Sequence, residues 1–407
     1  MQRRDLLKQT ALTLAAFSFS RDLFAAEAEK LTKLPDVDKI IKLSSNENPH
    51  GPSPASRKAM MDAVNGSNRY PWDVTTKLRE EIGALTGHTK ELIVIGAGSS
   101  ELLGLTAVWA ATQKGNAVAP DPTFRLWMPA ARKTGLDIKL VPLTDKKETD
   151  LQRMKEAMNA ETKMVYLCNP GNPTGTIIPA NELEAFIKEV APKAIVLLDE
   201  AYTEFCDEPS MAHLVNDYPN LVIAKTFSKV YGMAGARVGY VLAHPATVKK
   251  LNELQPWANA GASAVSLAGA LAAIKDKTFI AYCKKENAAA RAIFYKALEQ
   301  AGIPYIPSHT SFVYFNTTNF GKDVKAMLEA KGIVGARSFE EGTKWLRLSV
   351  GTQDEMKKAA AALLLIVFGL KAALLPFHFW LPAAYSQANA SVAAIFSVMT
   401  KVGIYSL

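Results

Sequence analysis

A lysine, an acid, a phenol and an amide stand at the ends of short apolar runs, and together they could act on a carbonyl-bearing heterocycle. The run Ile195 to Leu198 leads into Asp199-Glu200-Ala201-Tyr202. The run Leu221 to Ile223 leads into Lys225-Thr226-Phe227-Ser228-Lys229, and then into Tyr231-Gly232-Met233-Ala234-Gly235-Ala236-Arg237-Val238-Gly239-Tyr240. A lysine that must form an imine has to be held near its neutral form beside an electron sink, and an aspartate aimed at a pyridine nitrogen keeps that ring cationic. The Tyr202 phenol and the amide of Asn172, in Asn169-Pro170-Gly171-Asn172-Pro173-Thr174-Gly175, can hydrogen-bond a ring hydroxyl. Singly, Asp199 could be a helix cap, Lys229 a solvated side chain and Asn172 a turn former. All of them at strand ends point to a site, because open α/β sheets bind ligands there. Gly96-Ala97-Gly98-Ser99-Ser100-Glu101 adds a turn between an apolar strand and the helical run Leu102 to Ala111, where free N–H groups and hydroxyls suit one phosphate.

The elements that must position these residues read as alternating strands and helices from Leu31 to about Ala362. Leu92 to Ile95, Ala117 to Ala119, Ile138 to Val141, Met164 to Leu167, Ile195 to Leu198 and Leu221 to Ile223 are short apolar or β-branched runs. Such strands between helices imply an α/β fold with a buried, mostly parallel sheet. Beyond Gly239 to Ala243 helices dominate through Leu298, with a long linking helix containing Lys249 to Leu254. Phe312 to Phe315 and Trp345 to Ser349 then supply strands of a smaller α+β domain.

Composition narrows the function classes. A chain of 407 residues with 49% hydrophobic and 21% charged content is long enough for two or three packed domains and excludes disorder or a small disulfide scaffold. The net charge of +8 is not gathered into a basic run of the kind that tracks phosphates along a nucleic acid, so no nucleic-acid partner is expected. Cys168, Cys206 and Cys283 lie far apart without a CxxC pair, so no zinc site is encoded.

N-P-G-N-P-T-G, D-E-A-Y and S-K-x-Y-G-x-A-G-x-R-x-G-Y, in this order, resemble fold-type I pyridoxal-phosphate-dependent aminotransferases. S-S-N-E-N-P-H-G-P-S-P from Ser44, N-R-Y-P from Asn68 and W-L-R-L-S-V-G-T from Trp345 narrow the resemblance to the histidinol-phosphate aminotransferase branch. It implies a large domain at 76–260 with a mostly parallel seven-stranded sheet, an N-terminal segment at 31–75 that contributes to the small domain, and a linking helix with that small domain at 261–362. It makes Lys229 the Schiff-base lysine and general acid/base, Asp199 the partner of the pyridine nitrogen, and Tyr202 with Asn172 the partners of the ring oxygen. Phe124 would stack on the ring, an ordinary core position being the other role open to it. Gly98, Ser99, Ser100, Thr226, Ser228 and Arg237 would hold the phosphate. Tyr70 would reach the phosphate of the neighbouring subunit in a homodimer. Arg347 would take the substrate's anionic group unless it forms a surface ion pair, and Asn46 would shape the substrate side. The implied reaction passes an amino group from histidinol phosphate or an aromatic or other amino acid to a 2-oxo acid such as 2-oxoglutarate, in a ping-pong cycle. A decarboxylase or lyase using the same cofactor, and a non-catalytic binding protein on the same fold, are the alternatives.

The ends differ from the body. Residues 1–30 place Arg3 and Arg4 before Leu6, Leu7 and Lys8, then the apolar stretch Ala11 to Phe19, then Ala25, Ala26 and Ala28. That order is a signal-peptide layout resembling the bacterial twin-arginine signal, which implies a periplasmic enzyme. A basic amphipathic helix in a cytoplasmic protein is the other reading. Histidine biosynthesis is cytoplasmic, so either the arginine pair misleads or the substrate is a different amino acid. From Leu363 to Leu407 there is no Asp or Glu and only Lys371 and Lys401 are charged, which suggests membrane-length stretches interrupted by Pro376 and Pro382. G-L-K-A-A-L-L-P-F-H-F-W-L-P-A-A-Y from Gly369 and M-T-K-V-G-I-Y from Met399 resemble the proton-translocating subunits of respiratory complex I and of sodium/proton antiporters, with Lys371, His378 and Lys401 at the proton-carrying positions. A fusion or misassembled gene joining a membrane-associated fragment to the enzyme is the expectation.

Overall fold

Runs of four to seven residues that are apolar on both faces can only be central strands, and the computed structural model, which describes residues 40–371 except 260, 321, 322 and 341, places them so. The strands are β1 (Ile41–Lys42), β2 (Ile93–Gly96), β3 (Gly115–Asp121), β4 (Leu136–Pro142), β5 (Thr162–Cys168), β6 (Ile195–Asp199), β7 (Leu221–Thr226), β8 (Gly239–Ala243), β9 (Tyr305–Ile306), β10 (Phe312–Asn316), β11 (Ile333–Val334) and β12 (Trp345–Ser349). The expected mostly parallel sheet has seven strands in the order β2-β8-β7-β6-β5-β3-β4. Only β8 runs against its neighbours. Side chains alternate between the two faces. Val196, Leu198 and Ile223 join a core with Leu183, Phe186 and Phe227, while Leu197, Val222 and Tyr166 join one with Trp127 and the helix Ser99–Thr112.

By internal contacts the chain divides into two compact units. One comprises 42–325 and 335–361. It contains the seven-stranded sheet and a three-stranded antiparallel sheet, β12-β10-β9. The other includes, among the described residues, 40–41, 326–334 and 362–371, and carries the ribbon of β1 and β11.

The long helix is not where the sequence suggested it. The helix holding Lys249 to Leu254 is only Pro245–Leu254, because Gln255 precedes Pro256 and the residue before proline is pushed out of the helical region. The 25-residue helix is Lys277–Ala301, opened by Asp276, whose side chain accepts from the Phe279 N–H, and closed by Gly302 in the left-handed conformation.

The expected boundary at 362 falls beside the division between the two units at 361/362. The helix Gln353–Lys371 passes through it unbroken, and Leu363, Ile366 and Val367 are buried. Among the described residues no helix is long and apolar enough to cross a membrane. The arginine pair, His378 and Lys401 lie outside the described residues.

Beside the strand ends sits a buried ion cluster. Lys225 Nζ lies 3.0 Å from Glu204 Oε1 and 3.4 Å from Glu200 Oε2. Burial works against charge on Lys225, but the two carboxylates outweigh it and hold its pKa above the usual lysine range. Glu200 follows Asp199 at the end of β6, and Lys225 precedes Thr226 at the end of β7, so the cluster pins the two strand ends together.

Candidate active site

Segments far apart in the chain converge on a cavity of about 870 Å³ at these strand ends. Gly98 has φ +83°, and a Cβ there would collide with the Arg237 guanidinium, so only glycine lets that side chain approach. Arg237 Nη2 donates to Ser100 Oγ at 2.9 Å, and Nη1 donates to the Ala234 carbonyl at 3.0 Å. The helix Ser99–Thr112 starts with no side-chain cap at Gly98, leaving its first N–H groups for an anion. Across from it the Thr226 hydroxyl donates to Ser228 Oγ at 2.9 Å, and the Ser228 N–H donates back to Thr226 Oγ1 at 3.1 Å. A guanidinium, three hydroxyls around it and a helix start form one anion cradle.

Asp199 ends β6 and faces the cavity with both oxygens engaged. Oδ2 accepts from the Tyr166 phenol at 3.1 Å, and Oδ1 accepts from the Ala201 N–H at 3.2 Å. Burial pushes its pKa up to about 6 against these two hydrogen bonds. Lys229 follows β7. Its Nζ donates to the Ser45 carbonyl at 3.0 Å and lies 5.6 Å from the centre of the Tyr202 ring. Burial, then the Arg347 charge, pull its pKa down to about 8.

The Tyr202 hydroxyl accepts from Asn46 Nδ2 at 2.8 Å and from Asn172 Nδ2 at 3.4 Å. Asn46, at φ +53°, is held in turn by Ser349 of β12, whose hydroxyl accepts from the Asn46 N–H and donates to its Oδ1. Arg347, also on β12, donates from Nη1 to Asn172 Oδ1 at 2.5 Å. Its guanidinium lies 4.4 Å from the Phe339 ring centre, and Nε, buried, has no partner. Burial lowers its pKa to about 10. At 7% exposure it is not the surface ion pair that was its alternative.

The structure thus brings Asn46, Ser99, Ser100, Phe124, Asn172, Asp199, Tyr202, Thr226, Ser228, Lys229, Arg237 and Arg347 to one cavity, with Gly98 behind Arg237. Tyr70 is not brought there. It is 69% exposed and stacks on Trp72 at 5.5 Å, with Trp257 5.2 Å away. Arg337, Phe339 and Glu340 also line the cavity and were not anticipated. The spacing of Arg337, ten residues before Arg347 in the same small-domain region, was the available signal.

Comparison with known proteins agrees with this geometry. The aminotransferase class I and II family model matches residues 38–363. The chain is 35% identical over 323 residues to the histidinol-phosphate aminotransferase of Bacillus velezensis, covering 78% of this chain and 89% of that one. It is 34% identical over 333 residues to histidinol-phosphate aminotransferase 1 of Dechloromonas aromatica, covering 80% and 90%. Among solved structures, histidinol-phosphate aminotransferase from Sinorhizobium meliloti in complex with pyridoxal-5'-phosphate is similar with TM-score 0.73 and 29% identity, covering 80% of this chain and 90% of that one. At 20% identity, L-threonine-O-3-phosphate decarboxylase from Porphyromonas gingivalis shares the fold, with TM-score 0.68 and coverage of 80% and 98%.

The residues present fit that cofactor: the anion cradle suits its phosphate, Asp199 its ring nitrogen, Tyr202 and Asn172 its ring oxygen, and the Lys229 amine its aldehyde. On sequence, fold and site alike, the chain belongs to the aminotransferase class I and II family and is a pyridoxal-phosphate-dependent aminotransferase.

Proposed function

We propose that the enzyme moves an amino group between an anionic amine of the histidinol-phosphate kind and a 2-oxo acid such as 2-oxoglutarate. The observation that carries this reading is Arg347: buried, aligned by Asn172 and stacked on Phe339, it lines the cavity together with a second arginine, Arg337. Two guanidinium groups lining one cavity favour an anion there. The names of the relatives support the phosphorylated amine as first choice.

When bound, the cofactor supplies an aldehyde that captures the amine and a cationic ring that takes up the electrons released at the substrate carbon. The chain supplies everything else. With a pKa near 8, Lys229 is about one-quarter neutral half a unit below that value, against about 0.1% for an ordinary lysine of pKa 10.5, so its amine would hold the cofactor's aldehyde and serve as the acid–base group for the substrate's proton. Asp199 above about pH 6 is ionised and would hold the ring nitrogen protonated. Tyr202 and Asn172 orient the ring oxygen, and Arg347 orients the substrate.

Amino transfer from histidinol phosphate, phenylalanine and aspartate to 2-oxoglutarate, measured side by side, tests the donor. Preference for histidinol phosphate is expected; turnover of phenylalanine or aspartate alone would overturn the assignment, and release of carbon dioxide in place of an oxo product would indicate decarboxylation.

The same reading extends to assembly and location. The exposed aromatic trio Tyr70, Trp72 and Trp257 suits burial against a second copy, supporting a homodimer in which Tyr70 serves the partner's phosphate site. The order of charge, apolar run and small residues in 1–30 supports twin-arginine export to the periplasm. The acid-free composition of 363–407 supports an appended membrane-associated segment.

A further inference from the structure

We infer that Tyr166 is a positioning residue for the cofactor's acid partner: its phenol fixes the Asp199 carboxylate in its ionised, ring-facing state. The inference rests on the cofactor reading of the cavity.

Its basis is the strand register. β5 and β6 pair Cys168 with Asp199 and Tyr166 with Leu197, so Tyr166 is the diagonal neighbour of Asp199, a separation that an aromatic side chain spans. Its hydroxyl donates to Oδ2 at 3.1 Å while the Ala201 N–H holds Oδ1. With both oxygens anchored, the carboxylate cannot turn away from the cavity it lines. Tyr166 cannot turn either, since it is fully buried with its ring 5.2 Å from that of Trp127, itself fully buried.

The surrounding layer of Trp127, Ala119, Met164 and Leu197 is apolar, so phenylalanine would pack there without the cost of burying a hydroxyl. The hydroxyl meets Asp199 instead. Burial first, and then the Asp199 charge, hold the Tyr166 pKa well above its usual value, so it stays a donor. The titratable groups facing Asp199 are Tyr166 and Cys168 from β5, Lys229 from beyond β7, and Glu200 and Tyr202 on its own segment. Against the upward push of burial, the Tyr166 hydrogen bond is the foremost opposing influence, ahead of Ala201 and Lys229. Losing it would protonate part of the carboxylate near neutrality, and a neutral acid cannot hold the ring nitrogen cationic.

The test is Tyr166→Phe in the full chain, with two readouts. Carbon-13 NMR of labelled aspartate in cofactor-free protein follows the Asp199 titration, and absorbance titration with pyridoxal phosphate gives affinity against pH. Expected are an upward move of the carboxylate midpoint by about one unit, roughly fivefold weaker cofactor binding near the wild-type midpoint, and convergence with wild type at higher pH. The acid limb of kcat should shift the same way with the donor KM unchanged. Incorporating 3-fluorotyrosine at position 166, a stronger donor of nearly the same volume, should move the midpoint down, and it serves if the phenylalanine variant does not fold. Unchanged titration and unchanged pH dependence of binding would overturn the inference, whereas failure of the wild type to bind the cofactor would overturn the reading beneath it.

Discussion

Asn172 and Arg347 are joined by a 2.5 Å hydrogen bond although 175 residues separate them in sequence. The amide that meets the arginine through Oδ1 meets the Tyr202 phenol through Nδ2, so one side chain couples the substrate anchor to the ring-oxygen partners. Asn172→Ala should therefore weaken cofactor affinity and raise the donor KM together, each by about tenfold, the equivalent of one lost buried hydrogen bond. Equilibrium dialysis and steady-state kinetics on one preparation check this. A change in only one constant would show that the amide does not couple them.

Lys229→Met should abolish the absorbance of lysine-bound cofactor and cut kcat by about 10²–10⁴-fold or more through loss of the acid–base group. The same variant should stabilise the cofactor-free fold. The native pKa of about 8 lies below the reference 10.5, so the folded state penalises the charged amine fully below about 8 and progressively less as pH rises toward 10.5. The melting-temperature gain should be largest near neutrality, worth about 1–3 kcal/mol, and fade in alkali. A gain independent of pH would contradict the assigned cause.

Gly98→Ala should damage cofactor binding more than the fold. The new methyl meets the Arg237 guanidinium in a left-handed backbone position, a strain of about 1–3 kcal/mol. The expected result is a dissociation constant higher by at least about tenfold, read from the colour of the dialysed protein.

Tyr70 offers a test by complementation. Mixing Tyr70→Ala subunits with Lys229→Ala subunits creates heterodimers in which one site is whole if Tyr70 acts across the interface. Random exchange should restore roughly a quarter of wild-type activity. No recovery, with heterodimers confirmed by mass, would place Tyr70 elsewhere.

The leader can be tested in cells. Replacing both Arg3 and Arg4 with lysine should trap the protein in the cytoplasm, as seen by fractionation and blotting. Unaltered distribution would remove the export reading.

The elements legible from sequence were those whose pattern is local. Trp345 to Ser349 matches β12 residue for residue because Leu346 and Leu348 alternate with Trp345, Arg347 and Ser349, a period that needs no tertiary information. Lys229, Asp199 and Asn172 stood out because unusual polar residues end short apolar runs. Tyr166 did not, since inside Met164 to Leu167 it reads as one more core side chain, and only the register with β6 reveals its partner. Phe339 and Glu340 were hidden for a related reason: Glu340 meets Lys147 and Tyr314, from segments that only folding brings near. The helix holding Lys249 to Leu254 is short because local backbone sterics at Pro256 prevail over the pattern around it.

The Lys225–Glu200–Glu204 cluster sets a limit on how this enzyme can move. Removing one member of such a buried set costs about 3–5 kcal/mol, so the tips bearing Asp199 and Lys229 travel together as a rigid jaw. Any opening that admits substrate would then come from the other segments lining the cavity, 45–47, 123–126 and 337–340.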